Sequence, residues 1–380
     1  MKSSNFGYIP ALDHLRGFAA ILVLFFHGLH YISWGMVSEE PYNPSNWPVA
    51  SNPVMALLVE GHTAVSLFFV LSGFVFTVGS LHKRLNFAGF YRNRLLRTYP
   101  LFLFFLALGV IFYAENASLA ALLQSVFFMA NSSTAFTGGP FTFVSWSIAV
   151  EWQFYLLFPL LLLALQRWDW RILPCLILAL IVLRAGLWWQ GADMLRIGYW
   201  SILGRLDQFL IGMLAGIYYR QLFAPGRLRD WQAVYGAVLV LLVLFVFNRM
   251  GGGAQNNHVW ILWPTIEAAA WAIFLLGYLS LSRHFPKSAG RVLVALGAVS
   301  YSVYLVHYVV LSYFMGQGWD TLVVVGTPIT TALLNTLIFI LPVVLIASAL
   351  TFRGIERPFL RRRRAYVAGS TKANSAIEPT

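Results

Sequence analysis

Charge is what this sequence has least of. Only 11% of its 380 residues are Asp, Glu, Lys or Arg, against about 25% in a soluble domain. With 59% hydrophobic residues and a mean hydropathy of +0.71, an aqueous globular domain is excluded. Cysteine is nearly absent: Cys175 stands alone, which rules out an internal disulfide and a cysteine zinc site. The eight histidines include no His-x-x-x-His pair, so no metal is expected. No glycine-rich phosphate loop and no nucleophile elbow occur. No cleavable signal peptide is expected, because the first apolar run is long enough to span and lacks a small-residue cleavage site. No short-period repeat is visible.

What is present is apolar length. The hydropathy pattern predicts an all-α polytopic membrane protein with about ten transmembrane helices, at 15–34, 54–79, 100–115, 143–166, 172–189, 201–219, 231–248, 258–281, 292–315 and 329–351. Each is near the ~20 residues a bilayer requires. The apolar stretch 118–131 is too short to cross and reads as a re-entrant or interfacial helix on the outer side. Of the 26 Lys and Arg, 21 fall in alternate loops and the termini, and two in the loops between. That asymmetry predicts both termini cytoplasmic. The net charge of +12 is therefore an orientation signal and a match to anionic lipid, not a nucleic-acid surface. Residues 1–364 read as a single transmembrane domain, with 365–380 a disordered cytoplasmic tail.

One stretch organises the rest. Residues 13–34 carry Arg16 near the first turn of the first span and His27 near its middle. Eleven residues at about 1.5 Å and 100° each put them roughly 16 Å apart along the axis and about 20° off a common line. Ionisable groups in a bilayer are costly and face protein or a water-filled cavity. The stripe reads either as a polar path from surface to centre or as a pair that holds this helix against its neighbours. His27 and His30 are three apart, with no third metal ligand in view.

Further candidates follow. Glu60 and His62 sit near the outer end of the second span, where water reaches them. Ser72 and Gly73 permit close helix approach. Arg92, Arg94 and Arg97 precede the third span, and guanidinium forks bind phosphate well. Positive-inside anchoring explains them equally. Trp146, Trp152 and Tyr155 suggest an interfacial aromatic belt. Glu151 lies about two turns inside the fourth span, where it could orient His27, bind a hydroxyl acceptor, or pair with Arg184 or Arg205. Arg205 and Asp207 open the sixth span; Gly212 and Gly216 give it a packing face. Tyr301, Tyr304 and His307 form a polar column on the ninth. Glu356 and Pro358 form a structural corner at the end of the tenth. Trp34, Asn43 and Trp47 on the outer side could stack on sugars.

The ordered set DHLRGFAAILVLFFH, FFVLSGFVF, FYRNRLLRTYPLF, SWSIAVEWQFYLLFP, GRLDQFLIGMLAG, LGAVSYSVYLVH and GIERP resembles the acyltransferase-3 family of bacterial integral-membrane acyltransferases, over nearly all of residues 8–360. A stand-alone form is expected, without the family's extra periplasmic domain. The resemblance implies transfer of an acyl group, usually acetyl, from cytoplasmic acyl-CoA to a hydroxyl of a cell-surface or membrane-associated glycan, in the cytoplasmic membrane of a bacterium. It matches His27 to the family's essential histidine, Arg16 to its partner, and Arg94 and Arg97 to its paired arginines. On that footing His27, Arg16 and Glu151 are the catalytic candidates, and Arg92, Arg94 and Arg97 the candidates for the coenzyme A phosphates. The imidazole would take the hydroxyl proton as the oxygen attacks the thioester; an acyl-histidine route also remains open. A transporter or flippase of a glycan or acyl carrier is the rival reading. Against it, no paired interrupted helices occur in the two halves.

Overall fold

Pro10 opens the first helix at a position where its missing N–H costs nothing, and the apolar run carries α1 across Pro10–Gly35. A computed structural model describes residues 7–38, 43, 46–222 and 229–367. Asn52 caps the short α2 (Pro53–Val59) by accepting from Met55 N–H; Glu60-Gly61-His62 then breaks the chain before α3 (Thr63–Ser80). Asn86 likewise caps α4 (Phe87–Phe112), and Ser118 caps α5 (Leu119–Val126). There follow α6 (Ser145–Trp168), α7 (Ile172–Trp189), α8 (Met194–Trp200) and α9 (Ile202–Leu222). Next come α10 (Trp231–Arg249), α11 (Val259–Leu281), α12 (Lys287–Ala298) and α13 (Ser300–Gly316). The last span is one continuous rod: α14 (Pro328–Asn335), a π turn, α15 (Leu341–Thr351), a second π turn and α16 (Arg357–Leu360). Among the described residues no strand forms, only an isolated bridge between Leu85 and Val367.

Among the described residues, eight segments are long and apolar enough to cross a membrane, or nine if α12 and α13, meeting at 65°, act together. The chain is a multi-pass all-α membrane protein. The sixth expected span, 201–219, corresponds to α9, which has the length but carries Arg205, Asp207 and Gln208. The expected second span is split: α3 crosses, while α2 is a single short helix beside it. The third begins earlier than its apolar run, because α4 starts at Phe87 and continues through Pro100, which puts Arg92, Arg94 and Arg97 on the helix itself. The 118–131 stretch holds α5, of 8 residues, too short to span. Pro358 does not end the last rod but sits inside α16. Tyr366 and Val367 pack against the body; residues 368–380 of the expected tail lie outside the described residues.

Burial separates inner from outer helices: 78% of the α3 window is buried, against 17% of α7. On the outer helices Val182, Leu242, Ile346 and Leu350 are exposed, as a lipid-facing surface requires. At the centre α3 and α9 touch backbone to backbone. A Cβ on Gly73 would lie 2.0 Å from Phe209 O, and one on Gly212 would lie 2.1 Å from Val70 O. Two fully buried ion pairs flank this crossing, as lipid demands. Arg184 bonds Asp207 at 2.8 Å, and Arg205 lies 3.6 Å from Glu267 while stacking over Tyr199. Ser66 Oγ and Gln208 Nε2 both donate to Glu267 Oε2.

Gly212→Leu should therefore force α3 and α9 apart and destabilise the bundle by at least the ~1–3 kcal/mol typical of overpacking. A detergent melting curve checks this; an unchanged midpoint would contradict the close crossing.

Candidate functional site

Four helices converge on one polar interior. From α1 come Arg16 and, eleven residues on, His27; from α4 Arg94, Arg97 and Thr98; from α6 Ser147, Glu151 and Tyr155; from α13 Tyr301, Tyr304 and His307. A narrow cavity of about 90 Å³ has Arg16, Arg94, Arg97, Glu151, Ser147 and Tyr304 in its walls. Tyr155, Glu151 and Ser147 are spaced by four and share one face of α6, spanning about 12 Å. The Arg94 guanidinium rests beside Tyr155 at 5.8 Å, so the cavity runs from the arginines toward Ser147. There Ser147 Oγ and the Tyr304 hydroxyl share a 2.7 Å hydrogen bond.

The arginines differ. Arg16 donates to Asp13 at 3.0 Å. Arg94 lies over Phe76 at 4.9 Å, held by cation–π contacts, and its buried Nε has no hydrogen-bond partner among the described residues. Arg92 is exposed and away from this cavity. It is two residues from Arg94, hence about 200° around the helix. Beyond α16, Arg363 faces the same cluster: burial, then Arg97, Arg94 and Arg16, push it down to about 9.

Glu151 pairs with neither Arg184 nor Arg205, which are taken by Asp207 and Glu267. It accepts instead from Ser72 Oγ at 2.8 Å and from the Tyr155 hydroxyl. Ser72 thus does more than allow close packing. Trp152 and Tyr155 are 2% exposed and Trp146 is 7%, so they line the interior instead of forming an interfacial belt. Trp152 Nε1–H donates to Thr98 Oγ1, and the Tyr301 hydroxyl donates to Thr98 O. Glu356 is buried and accepts from Ser302 Oγ.

His27 meets His307 across 280 residues of sequence, Nδ1 to Nε2 at 3.0 Å. The other His307 nitrogen, Nδ1, lies 3.2 Å from Val303 O. A carbonyl only accepts, so in the neutral ring His307 Nδ1 carries the proton and Nε2 is the acceptor. His27 Nδ1–H is then the donor, which leaves a lone pair on His27 Nε2. That tautomer is the one a proton acceptor needs. His27 is 9% exposed and lines neither cavity itself. Phe143 packs edge-on against its ring at 5.8 Å, and Tyr308, stacked on Phe143 at 3.8 Å, closes another side.

The other histidines of the outer half serve a separate cluster. Glu60 (0% exposed) and His62 (1%) are not reached by water as expected. They bond each other at 2.9 Å, and Glu60 also accepts from Trp47 Nε1–H and Asn248. Trp47 is thereby committed to a buried network and to His30, whose Nε2–H donates to Val59 O. Among the described residues no three His, Cys, Asp or Glu side chains gather as a metal site.

The chain's relatives bear on this arrangement. The family model described as "Acyltransferase domain", acyltransferase 3, matches residues 9–352. The chain belongs to this family. The exopolysaccharide production protein ExoZ of Rhizobium meliloti strain 1021 is 28% identical over 331 residues, covering 84% of this chain and 95% of that protein. Nodulation protein 10 of Rhizobium leguminosarum bv. viciae is 25% identical over 399 residues, covering 95% and 96%. The putative peptidoglycan O-acetyltransferase YrhL of Bacillus subtilis strain 168 is 26% identical over 352 residues, covering 82% of this chain and 50% of YrhL. No solved structure matches significantly. The chain is a membrane O-acyltransferase, which removes the reading of a transporter without transferase chemistry.

The sequence picked out the Tyr304–His307 face but not its partner, and it missed Phe143 altogether. Spacing within a helix was the only available signal for the first, and nothing marked the second. His307→Ala should lower turnover about 10- to 100-fold, the usual cost of losing a group that orients a functional imidazole. Half-saturation by donor should stay unchanged. His307→Gln, whose amide oxygen can still accept, should recover part of the loss. Equal loss in both variants, or none, would contradict the tautomer assignment.

Proposed function

We propose that this O-acyltransferase takes its acyl group, of acetyl size, from acyl-CoA on the arginine side and passes it to a glycan hydroxyl from the opposite side. The single observation that carries this is a cavity that leads from the arginines to within one turn of the histidine pair. Arg16, Arg94 and Arg97 share a cavity with Tyr304, one turn of α13 from the His307 that holds His27. The distribution of Lys and Arg supports a cytoplasmic position for that side, in the cytoplasmic membrane of a bacterium.

The donor's phosphates suit the arginine end. Arg94 has an unpartnered buried Nε, and three further guanidiniums raise the local potential. Arg94 and Arg97 hold the phosphates, Arg16 sits at the mouth fixed by Asp13, and Arg92 is left to the surface. The pantetheine arm is thin enough for a narrow channel. Its thioester meets the acceptor hydroxyl beside His27, once the Phe143 ring turns aside. His27 Nε2 takes the hydroxyl proton as the oxygen bonds to the thioester carbon. The carbon–sulfur bond breaks, and the proton passes to the coenzyme A thiolate. Glu151, anchored by Ser72, faces the channel and orients groups within it.

Purified protein in liposomes should turn over [14C]acetyl-CoA without an ion gradient. Arg94→Ala and Arg97→Ala should each raise the KM for acetyl-CoA by about 10- to 100-fold, from ~1.5–3 kcal/mol per charged hydrogen bond. The KM for acetyl-pantetheine, which lacks the nucleotide phosphates, should barely move. Equal effects on both thioesters would place the phosphate site elsewhere.

A further inference from the structure

A second and larger cavity opens on the side away from the arginines, and nothing above gives it an occupant. It measures about 460 Å³, within the roughly 300–1,000 Å³ of small-molecule sites. Two indoles, Trp146 and Trp200, lie 4.8 Å apart at one wall. Asn131, Asp193 and Arg196 supply amide, carboxylate and guanidinium. Phe143 belongs to the same wall and also packs edge-on against His27. We propose that this cleft is the acceptor subsite, and that it takes a sugar residue of a glycan.

The chemistry of the wall selects that class. A pyranose has an apolar C–H face and a rim of hydroxyls, so it asks for a flat aromatic surface beside mixed donors and acceptors. An acyl chain would leave the carboxylate and guanidinium unmatched. A phosphate would meet Asp193 as a like charge. The Asn131 amide and the Asp193 carboxylate are also fixed in place before any ligand arrives. Gln153 Nε2–H donates to Asn131 Oδ1 at 3.0 Å, and Asn131 Nδ2–H donates to Trp200 O at 3.1 Å, tying the 130–143 segment to the end of α8. Asp193 caps α8 by accepting from Arg196 N–H at 3.0 Å. Asn131, Asp193 and Arg196 belong to loops and to α8, outside the spans that bear Arg16, Arg94, Arg97, His27 and His307. The cleft can therefore set which sugar enters without altering the reacting groups. The inference rests on the acyl-CoA reading above, since it supplies that reaction's nucleophile: the sugar oxygen gains the acyl carbon and loses its proton to His27.

The test uses purified full-length protein carrying Cys175→Ser and Ser133→Cys, with Ser133 an exposed residue of the cleft wall. A bulky polar maleimide then fills the cleft. The acceptor probe is the polysaccharide fraction of the source cells, de-acetylated with mild base. Labelling should cut [14C]acetyl transfer to this probe at least tenfold and leave acetyl-CoA binding unchanged. Trp200→Ala should raise the half-saturating concentration of the polysaccharide, with Trp200→Phe restoring most of it. Full transfer from completely labelled protein would overturn the proposal. Loss of acetyl-CoA binding in the unlabelled protein would strike the donor reading instead, and the cleft assignment would fall with it.

Discussion

A polar atom cannot be left to lipid, and this one constraint arranges the molecule. The bilayer gives no hydrogen bonds, so every ionisable side chain within the spans must find protein or a water-filled space. Two solutions appear. Around α9, charges neutralise each other: Arg184 with Asp207, Arg205 with Glu267. Between α1, α4, α6 and α13, the compensation is incomplete, and a cavity runs where it fails. The first region is a clamp; the second is where chemistry can occur. An interior built only of paired charges would be stable and idle.

The histidine pair sits at the junction of these demands. His307 is held by a carbonyl of its own helix, and that hold decides its tautomer. Its free nitrogen then decides the tautomer of His27. No carboxylate is needed to orient the ring, which would add a further charge to the membrane interior. Phe143 and Tyr308 pack edge-on against His27, so the pair lies within aromatic surface.

How much of this was legible follows the reach of helical periodicity. The eleven-residue interval in α1 placed Arg16 and His27 on one stripe, and the structure keeps them on the polar interior. The three-residue step from Tyr304 to His307 was equally readable. The partner of His27 was not, because nothing local links positions 27 and 307. The Glu60-Gly61-His62 break was hidden for a different reason: its flanks are uniformly apolar, so hydropathy ran across it. Gly61 is pressed there against Phe26 of α1, a contact that only the tertiary packing supplies. Trp152 and Tyr155 resemble interfacial aromatics in composition, yet they face inward because Thr98 and Glu151 offer them partners. Arg92 shows the opposite error: it shares a motif with Arg94 but not a helix face.

The central claim is that the imidazole of His27 is the proton acceptor of an acyl transfer, within reach of a donor from one side and an alcohol from the other. Replacing it is the most direct test. His27→Ala protein that still melts cooperatively and still binds acetyl-CoA should lose about 10²- to 10⁴-fold in transfer, the usual worth of a positioned base. Near-normal turnover in that protein would contradict the account.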